Sequence, residues 1–434
     1  MKLRRPGAPV DVTNLPLEEL QVRQSKNRTP VRIEASGWGM MNAIHNAFVN
    51  PLLIDRGAGP IALGIFNSGA NFFLYSSGFV GPRLAYKAGG LGRAVMGTLF
   101  IARFLLILLT AFLWAVPDGA VVPLLVLILL WTAGEGLAVP LWTAFIAGLV
   151  PASQRGRWLA MRGASASVAS AGIMIALLIL MQFQSKSGAV PFAYTLAAIS
   201  GLVSLWQLRF LFGANSQPMA KEPQSLRKIP EGREKRRFLG GVFVFWFGAG
   251  IIWPILPPYI INDLGAPTAY FAVTAAVAAV SAALVQRKWG RYGDHQGARA
   301  MIYFSGFGAA VVPFAWCVAP VYQFGPLIEL IASASWPGHT MGLTMRAVEL
   351  SETEEDRPTM LAWTALAQGA GACMSPLFAS GLVHWTGTIP LLLASGILRV
   401  AGSVIISDAE REHWFAGRAP FRLPGRQSFK LSRR

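Results

Sequence analysis

Twelve runs of apolar residues, each about as long as a bilayer is thick, recur along this 434-residue chain. A helix needs about 20 such residues to cross the hydrocarbon core, and there each backbone N–H and C=O must find its partner within the protein. The runs lie near 35–54, 60–82, 94–115, 120–148, 158–182, 189–212, 238–260, 268–286, 300–318, 321–345, 359–383 and 388–406. Charged residues make up only 14% of the chain, against about 25% in soluble proteins. The first run starts too far from residue 1, and lacks the small-residue cleavage pattern, to be a signal peptide. Cys317 and Cys373 both fall inside runs, so no disulfide framework is expected.

The charges give an orientation. The net charge of +17 could suggest a nucleic-acid partner, but its distribution argues against one. With the N-terminus in the cytoplasm, 34 of the 38 Lys and Arg residues fall in the inside segments or at their edges. Two fall outside, Arg56 and Lys186, and two lie within spans, Arg103 and Arg399. This is the positive-inside pattern, and it requires an even number of crossings. Both termini are expected in the cytoplasm, in a multi-pass protein of the cell inner membrane. The basic excess also favours anionic lipid head groups, above all at the Lys221–Arg237 loop and the Arg411–Arg434 tail.

The chain repeats itself. Pro51–Pro60 closes one run and opens the next, and Pro258–Pro267 does the same in the second half. Within them Asp55 and Asp263, Gly57 and Gly265, Ala58 and Ala266 all stand 208 positions apart. Arg157 and Arg357, each opening the fifth run of its half, stand 200 apart. The expected fold class is therefore all-α and polytopic, with twelve transmembrane helices in two pseudo-symmetric six-helix bundles. The expected organisation is an N-terminal tail over 1–34, bundles over 35–212 and 238–406, a linker over 213–237 and a basic tail over 407–434. Tandem halves with a site between them are a common plan for secondary transporters. Runs 2, 5, 8 and 11 are rich in small residues, as in Gly163–Gly172, Ala275–Ala283 and Gly369–Ala372, which lets helices approach closely in lipid.

One loop carries a family resemblance. Gly290-Arg-Tyr-Gly-Asp294-His-Gln-Gly297-Ala-Arg299 resembles the Gly-x-x-x-Asp-x-x-Gly-x-Arg signature of the major facilitator superfamily. The matching first-half loop, Gly81 to Arg93, is decayed, with Ala85 where the acid belongs. Pro151–Arg157 with Arg162, and Arg357–Pro358 leading to Ser375–Gly381, also look like bacterial members. The resemblance implies alternating access, with Gly290, Asp294, Gly297 and Arg299 acting in gating on the cytoplasmic side. It also implies that the first and fourth helices of each half line a central cavity.

Polar residues inside the spans fit that layout. A charge at the bilayer centre costs about 3 kcal/mol or more, so it needs a reason. Only two acids lie deep in spans, Glu135 and Glu329, on the fourth helix of each half. Helix 4 puts Trp131, Glu135 and Trp142 on one stripe, and helix 10 does so with Glu329, Ser333, Trp336 and Thr340, with His339 beside them. Helix 1 carries Asn42, His45, Asn46 and Asn50, and helix 7 carries Trp246 and Trp253. Asn42, His45, Asn46, Arg103, Glu135, Trp142, Trp246, Trp253, Ser333, Trp336 and His339 are the candidate substrate-binding residues. Arg103 is also a candidate ion-pair partner for Glu135. A carboxyl in a low-dielectric medium holds its proton more tightly, so Glu329 and Glu135 are the candidate proton-coupling groups.

The expected activity is secondary active transport of a small organic solute, amphiphilic or aromatic, coupled to protons. The expected partners are that solute, protons and membrane lipids, without nucleic acid, and the chain is expected to be a monomer. The alternative is a lipid flippase or a non-transporting assembly factor on the same scaffold. Five scattered histidines, with no His-x-x-x-His, Cys-x-x-Cys or phosphate-cradling Gly-rich Lys loop, give no basis for an enzyme, a metal, a cofactor or an ATP-driven pump.

Overall fold

The computed structural model describes residues 17–116, 118–147, 155–181, 183, 186–211, 231–351 and 356–407. Residues 1–16 of the expected tail, 213–230 of the expected linker, 408–434 of the basic tail and 151–154 of the first arginine motif lie outside the described residues. Those described form helices, with no β-strand among them. The helices are α1 (Leu17–Asp55), α2 (Pro60–Lys87), α3 (Leu91–Ala115), α4 (Val121–Ala147), α5 (Arg155–Leu180), α6 (Lys186–Gln207) and α7 (Arg233–Pro258). One long stretch, Ala269–Val318, is broken only at Gly297, where φ is 82° and ψ is 169°. It is counted here as α8 (269–296) and α9 (298–318). Then follow α10 (Gly325–Glu349), α11 (Arg357–Thr386) and α12 (Thr388–Ser407), making twelve.

The turns show the repeat in the backbone. Gly57 and Gly265, 208 positions apart, both take positive φ, 87° and 71°. That region suits a residue with no Cβ, and at each place it reverses the chain between the first and second helix of its half. Proline then opens α2 at Pro60, where a helix has no use for the missing N–H.

The helices pack as two bundles. In the first, α1 rests on α5 and α6, and α4 joins α2 to α3; in the second, α7 rests on α11 and α12, and the 269–318 stretch packs on α10 and α12. The bundles meet along α2 against α11 and α5 against α8, the four helices rich in small residues. Ala272 of α8 is buried in the first bundle's core beside Met174 and Leu177 of α5.

The interior is apolar as in a soluble protein, but the exterior is apolar too. On α3, Arg103 is buried, while Phe100, Ile101 and Phe104 point outward and are exposed. Such a surface suits lipid, with polar groups turned inward to partners. Among the described residues eight helical stretches are long and apolar enough to span, counting 269–318 as one. The helices that fall short are α1, α2 and α10. Their polar side chains lower the average, and the cavities described next show where those side chains face.

Candidate functional site

The site begins on α1. Positions 34, 38, 42 and 45/46 share one face of a helix, and the chain puts Glu34, Trp38, Asn42, His45 and Asn46 there. With α2, α4 and α7 this face encloses a cavity of 510 Å³. Asn42, His45, Asn46 and Asn50 line it from α1, Asn67 and Asn71 from α2, Trp131, Thr132 and Glu135 from α4, and Trp253 from α7. A second cavity of 430 Å³ shares Trp38, Asn42 and Asn46 with the first. It crosses to Phe271 and Thr274 of α8 and ends on Glu329 of α10. A small third space of 80 Å³ shares Trp38 and Glu135 and adds Glu34, Trp142 and Arg162. The three adjoin through α1 and α4; the first two reach across to the second bundle, and the third lies within the first.

The two deep acids have different company. Arg103 Nη1 donates to Glu135 Oε1, and its Nε donates to the Gly201 carbonyl of α6 at 3.0 Å. Arg103 thus stands behind Glu135, and its charge is met by that carboxylate. Glu329 accepts a hydrogen bond from Ser333 Oγ at 2.5 Å, one turn along α10. Among the described residues it has no ion-pair partner.

His45 Nδ1 lies 3.2 Å from Tyr194 Oη, and its ring meets Trp131 edge-on at 4.2 Å. Trp246, Trp253 and Trp336 form a cluster, with Trp246 to Trp336 at 5.4 Å and Trp246 to Trp253 at 6.4 Å. Of these Trp253 reaches the cavity wall, while Trp246 meets Tyr75 of α2 at 6.0 Å across the bundle interface. His339 is buried and stacked on Phe245 at 3.7 Å, inside the second bundle. The indole N–H groups of Trp131, Trp142 and Trp246 are buried without an acceptor among the described residues.

Glu34 and Arg162 are not among the site residues expected from the sequence. Arg162 of α5 reaches Glu34 through two nitrogens, at 3.2 and 3.3 Å. Its guanidinium lies 3.6 Å from the Trp142 ring centre and 4.5 Å from that of Trp38. In the sequence Glu34 closes the expected N-terminal tail and Arg162 belongs to one of the family-like stretches, and nothing there pairs the two. The signal that finds them is the α1 stripe, which continues one turn outward from Trp38 to Glu34.

At the basic ends of the helices, the expected gating residues are spread out. Gly290 faces Met341 of α10, Asp294 is exposed, and Gly297 supplies the break between α8 and α9. Arg299 donates to Glu234 of α7 at 2.8 Å. Glu234 also accepts from Arg346 of α10, which reaches Glu349 at 3.1 Å. Arg299 therefore ties α9 to α7 and α10 through a shared acid.

Twelve helices in two bundles, most of them apolar enough to cross a membrane, with a polar cavity between the bundles, are the architecture of a membrane transporter. The chain belongs to the Major Facilitator Superfamily, whose sequence profile matches residues 37–322 and 238–430. Comparison with curated protein sequences found no match. Among solved structures it is similar to a variant of the nucleoside transporter NupG, with a TM-score of 0.70 at 10% identity, over 88% of this chain and 98% of that one. It is similar to a POT family transporter in complex with 5-aminolevulinic acid, with a TM-score of 0.65 at 13% identity, over 92% and 98%. It is also similar to a D-xylose–proton symporter, with a TM-score of 0.61 at 15% identity, over 89% and 96%. At these identities the likeness is one of fold.

Proposed function

We propose that the protein is a proton-coupled secondary transporter that carries a small organic solute, amphiphilic or aromatic, by alternating access. It sits in the inner membrane as a monomer, with both termini in the cytoplasm. The observation that carries this reading is the unequal standing of the two deep acids. The Glu135 charge is matched by Arg103, whereas Glu329 faces the cavity with only a serine hydroxyl. A carboxyl without a fixed cation can exchange its proton with whichever side the cavity opens to. Glu329 is the coupling group in this reading, and Glu135 presents a charge to the solute.

Asn42, His45, Asn46 and Trp253 hold the solute, with indole faces for its apolar part and amides for its polar part. Trp246, Ser333, Trp336 and His339 stand behind this wall and fix its shape, and Trp142 lines the small space that adjoins it. Gly290, Asp294, Gly297 and Arg299 act in gating at the cytoplasmic end.

The test starts with a thermal-shift screen of purified protein against aromatic and amphiphilic compounds, because a ligand stabilises the state that binds it. The hit is then followed into proteoliposomes under an imposed pH gradient. Glu329→Gln is expected to abolish gradient-driven accumulation and to leave solute exchange intact. If Glu329→Gln and Glu135→Gln both leave gradient-driven uptake unchanged, proton coupling through these acids is wrong.

A further inference from the structure

The central cavities are not the only concavity. A groove of 430 Å³ lies among α8, α9 and α10, lined by Val285, Lys288, Trp289, Tyr292, Phe304 and Ala334. It shares no lining residue with the three central spaces. Apart from the Lys288 ammonium and the Tyr292 hydroxyl, its lining side chains are apolar.

Its walls are fixed. Trp289 Nε1 donates to the Ala334 carbonyl at 2.7 Å, which pins the indole of α8 onto α10. Gly338 lies beneath that indole, where a Cβ would meet the ring. Tyr292 meets Trp289 edge-on at 5.7 Å and Phe304 at 6.2 Å. Leu284 of α8 and Leu327 and Leu330 of α10 are exposed, so this side of the bundle presents an apolar surface of the kind lipid covers. The rim is cationic. Lys288 lines the groove, and the exposed Arg291 stands beside it at i+3 on α8, with the exposed Asp294 a turn further on; Arg287, also exposed, lies round the helix from the lining positions.

We propose that this groove binds an anionic phospholipid from the leaflet at the basic ends of the helices. An acyl chain fills the aromatic floor, and the phosphate sits on Lys288 and Arg291. Basic pockets between membrane helices suit anionic head groups, and Trp and Tyr rings suit the depth where tail meets head group. Another apolar helix would leave Lys288, with Arg291 beside it, at the seam to be stripped of water, which counts against a protein occupant. Free phosphate would meet the rim and leave the groove unused.

The test uses the full chain in detergent and needs no transport, so its failure is separate from failure of the proposed activity. Dioleoylphosphatidylglycerol is expected to raise Tm by about 3 °C more than dioleoylphosphatidylcholine. Lys288→Gln with Arg291→Gln removes that difference. Arg83→Gln with Lys87→Gln, which strips the same charge from the end of α2, keeps it. Dihexanoylphosphatidylglycerol and inorganic phosphate give little shift, because neither fills the groove. Ala334→Trp, which fills it, abolishes the response to the long-chain lipid, and the short-chain arm carries the same question should that variant fail to fold. Equal shifts for the two dioleoyl lipids, a full shift in the Lys288/Arg291 variant, or a full shift from inorganic phosphate would each overturn the proposal.

Discussion

Arg103 of α3 grips Glu135 of α4 within the first bundle, where their side chains are 2% and 11% exposed. Removing one partner of such a pair leaves a buried charge uncompensated, at a cost of about 3–5 kcal/mol. Arg103→Met and Glu135→Gln should each lower the melting temperature in detergent. Arg103→Met with Glu135→Met together should melt close to the unmodified protein, because desolvation offsets most of the attraction within the pair. A double variant no better than the worse single would show that the pair is worth more than its desolvation.

The Arg162 arrangement depends on shape as well as charge. A guanidinium can stack on Trp142 and still reach both Glu34 oxygens, whereas an ammonium on a thin stem cannot do both. Arg162→Lys should cost about 1–2 kcal/mol through lost stacking and the lost second hydrogen bond. Arg162→Gln should cost about 3 kcal/mol, because Glu34 is then buried without the cation that bonds it, keeping only a hydrogen bond with Ser204. Chemical or thermal melts would rank the three proteins, and a Lys variant as stable as the original would refute the geometric account.

Glu234 serves two arginines that differ in their surroundings. The Arg346 side chain is 8% exposed and that of Arg299 is 38% exposed. Exposed pairs contribute about 0–1 kcal/mol and are screened by salt. Arg299→Gln should therefore cost less than about 1 kcal/mol, and the loss should fade at high salt. Arg346→Gln should cost more, about 1–2 kcal/mol, and fade less with salt, because the Arg346 head group is buried and bonds two acids, although Glu234 and Glu349 are themselves 50% and 41% exposed. Melts at two ionic strengths would decide, and equal salt sensitivity would count against the distinction.

The bundles also meet closely at Gly64. A Cβ there would collide with the Ser380 side chain of α11 and press on the Pro376 carbonyl. This contact lies at the end opposite the basic one, so Gly64→Val should disfavour closure of that end. About 1.4 kcal/mol placed on one state alone changes its population tenfold. With Cys317 and Cys373 replaced by serine, Asn50→Cys places a thiol in the cavity wall. That thiol should react with a soluble maleimide about tenfold faster when Gly64→Val is also present. Unchanged labelling would mean that the halves accommodate the side chain without opening.

The membrane spans were legible because lipid imposes one rule on every helix, and that rule is written in composition. What the helices do beyond the bilayer was not. The run expected to begin at 35 belongs to a helix that starts at Leu17, and α8 continues through the signature loop to 296. A helix that emerges into water gains or loses little by being charged, so hydropathy stops reporting on it where the lipid ends. The pairings at the site were half legible. Arg103 and Glu135 are each conspicuous because a charge in an apolar run demands a partner. Glu34, Arg162, Glu234 and Arg346 sit near span ends, where charges are common, and only the packing of helices far apart in sequence distinguishes a bonded charge from a solvated one.

The burial of Arg103 has a consequence for how the chain enters the bilayer. As α3 leaves the translocation machinery it carries an arginine at mid-depth, a penalty of about 3 kcal/mol on insertion scales. Its otherwise apolar sequence, of mean hydropathy 2.2 over the span, can bear that alone. The relief waits on α4, which begins at Val121, soon after α3 ends at Ala115, and brings Glu135. The two helices are therefore suited to enter as a hairpin, each making the other's charge tolerable. A ribosome stalled after residue 115 would leave behind a nascent chain with a greater tendency to slip back out of the membrane than one stalled after 147.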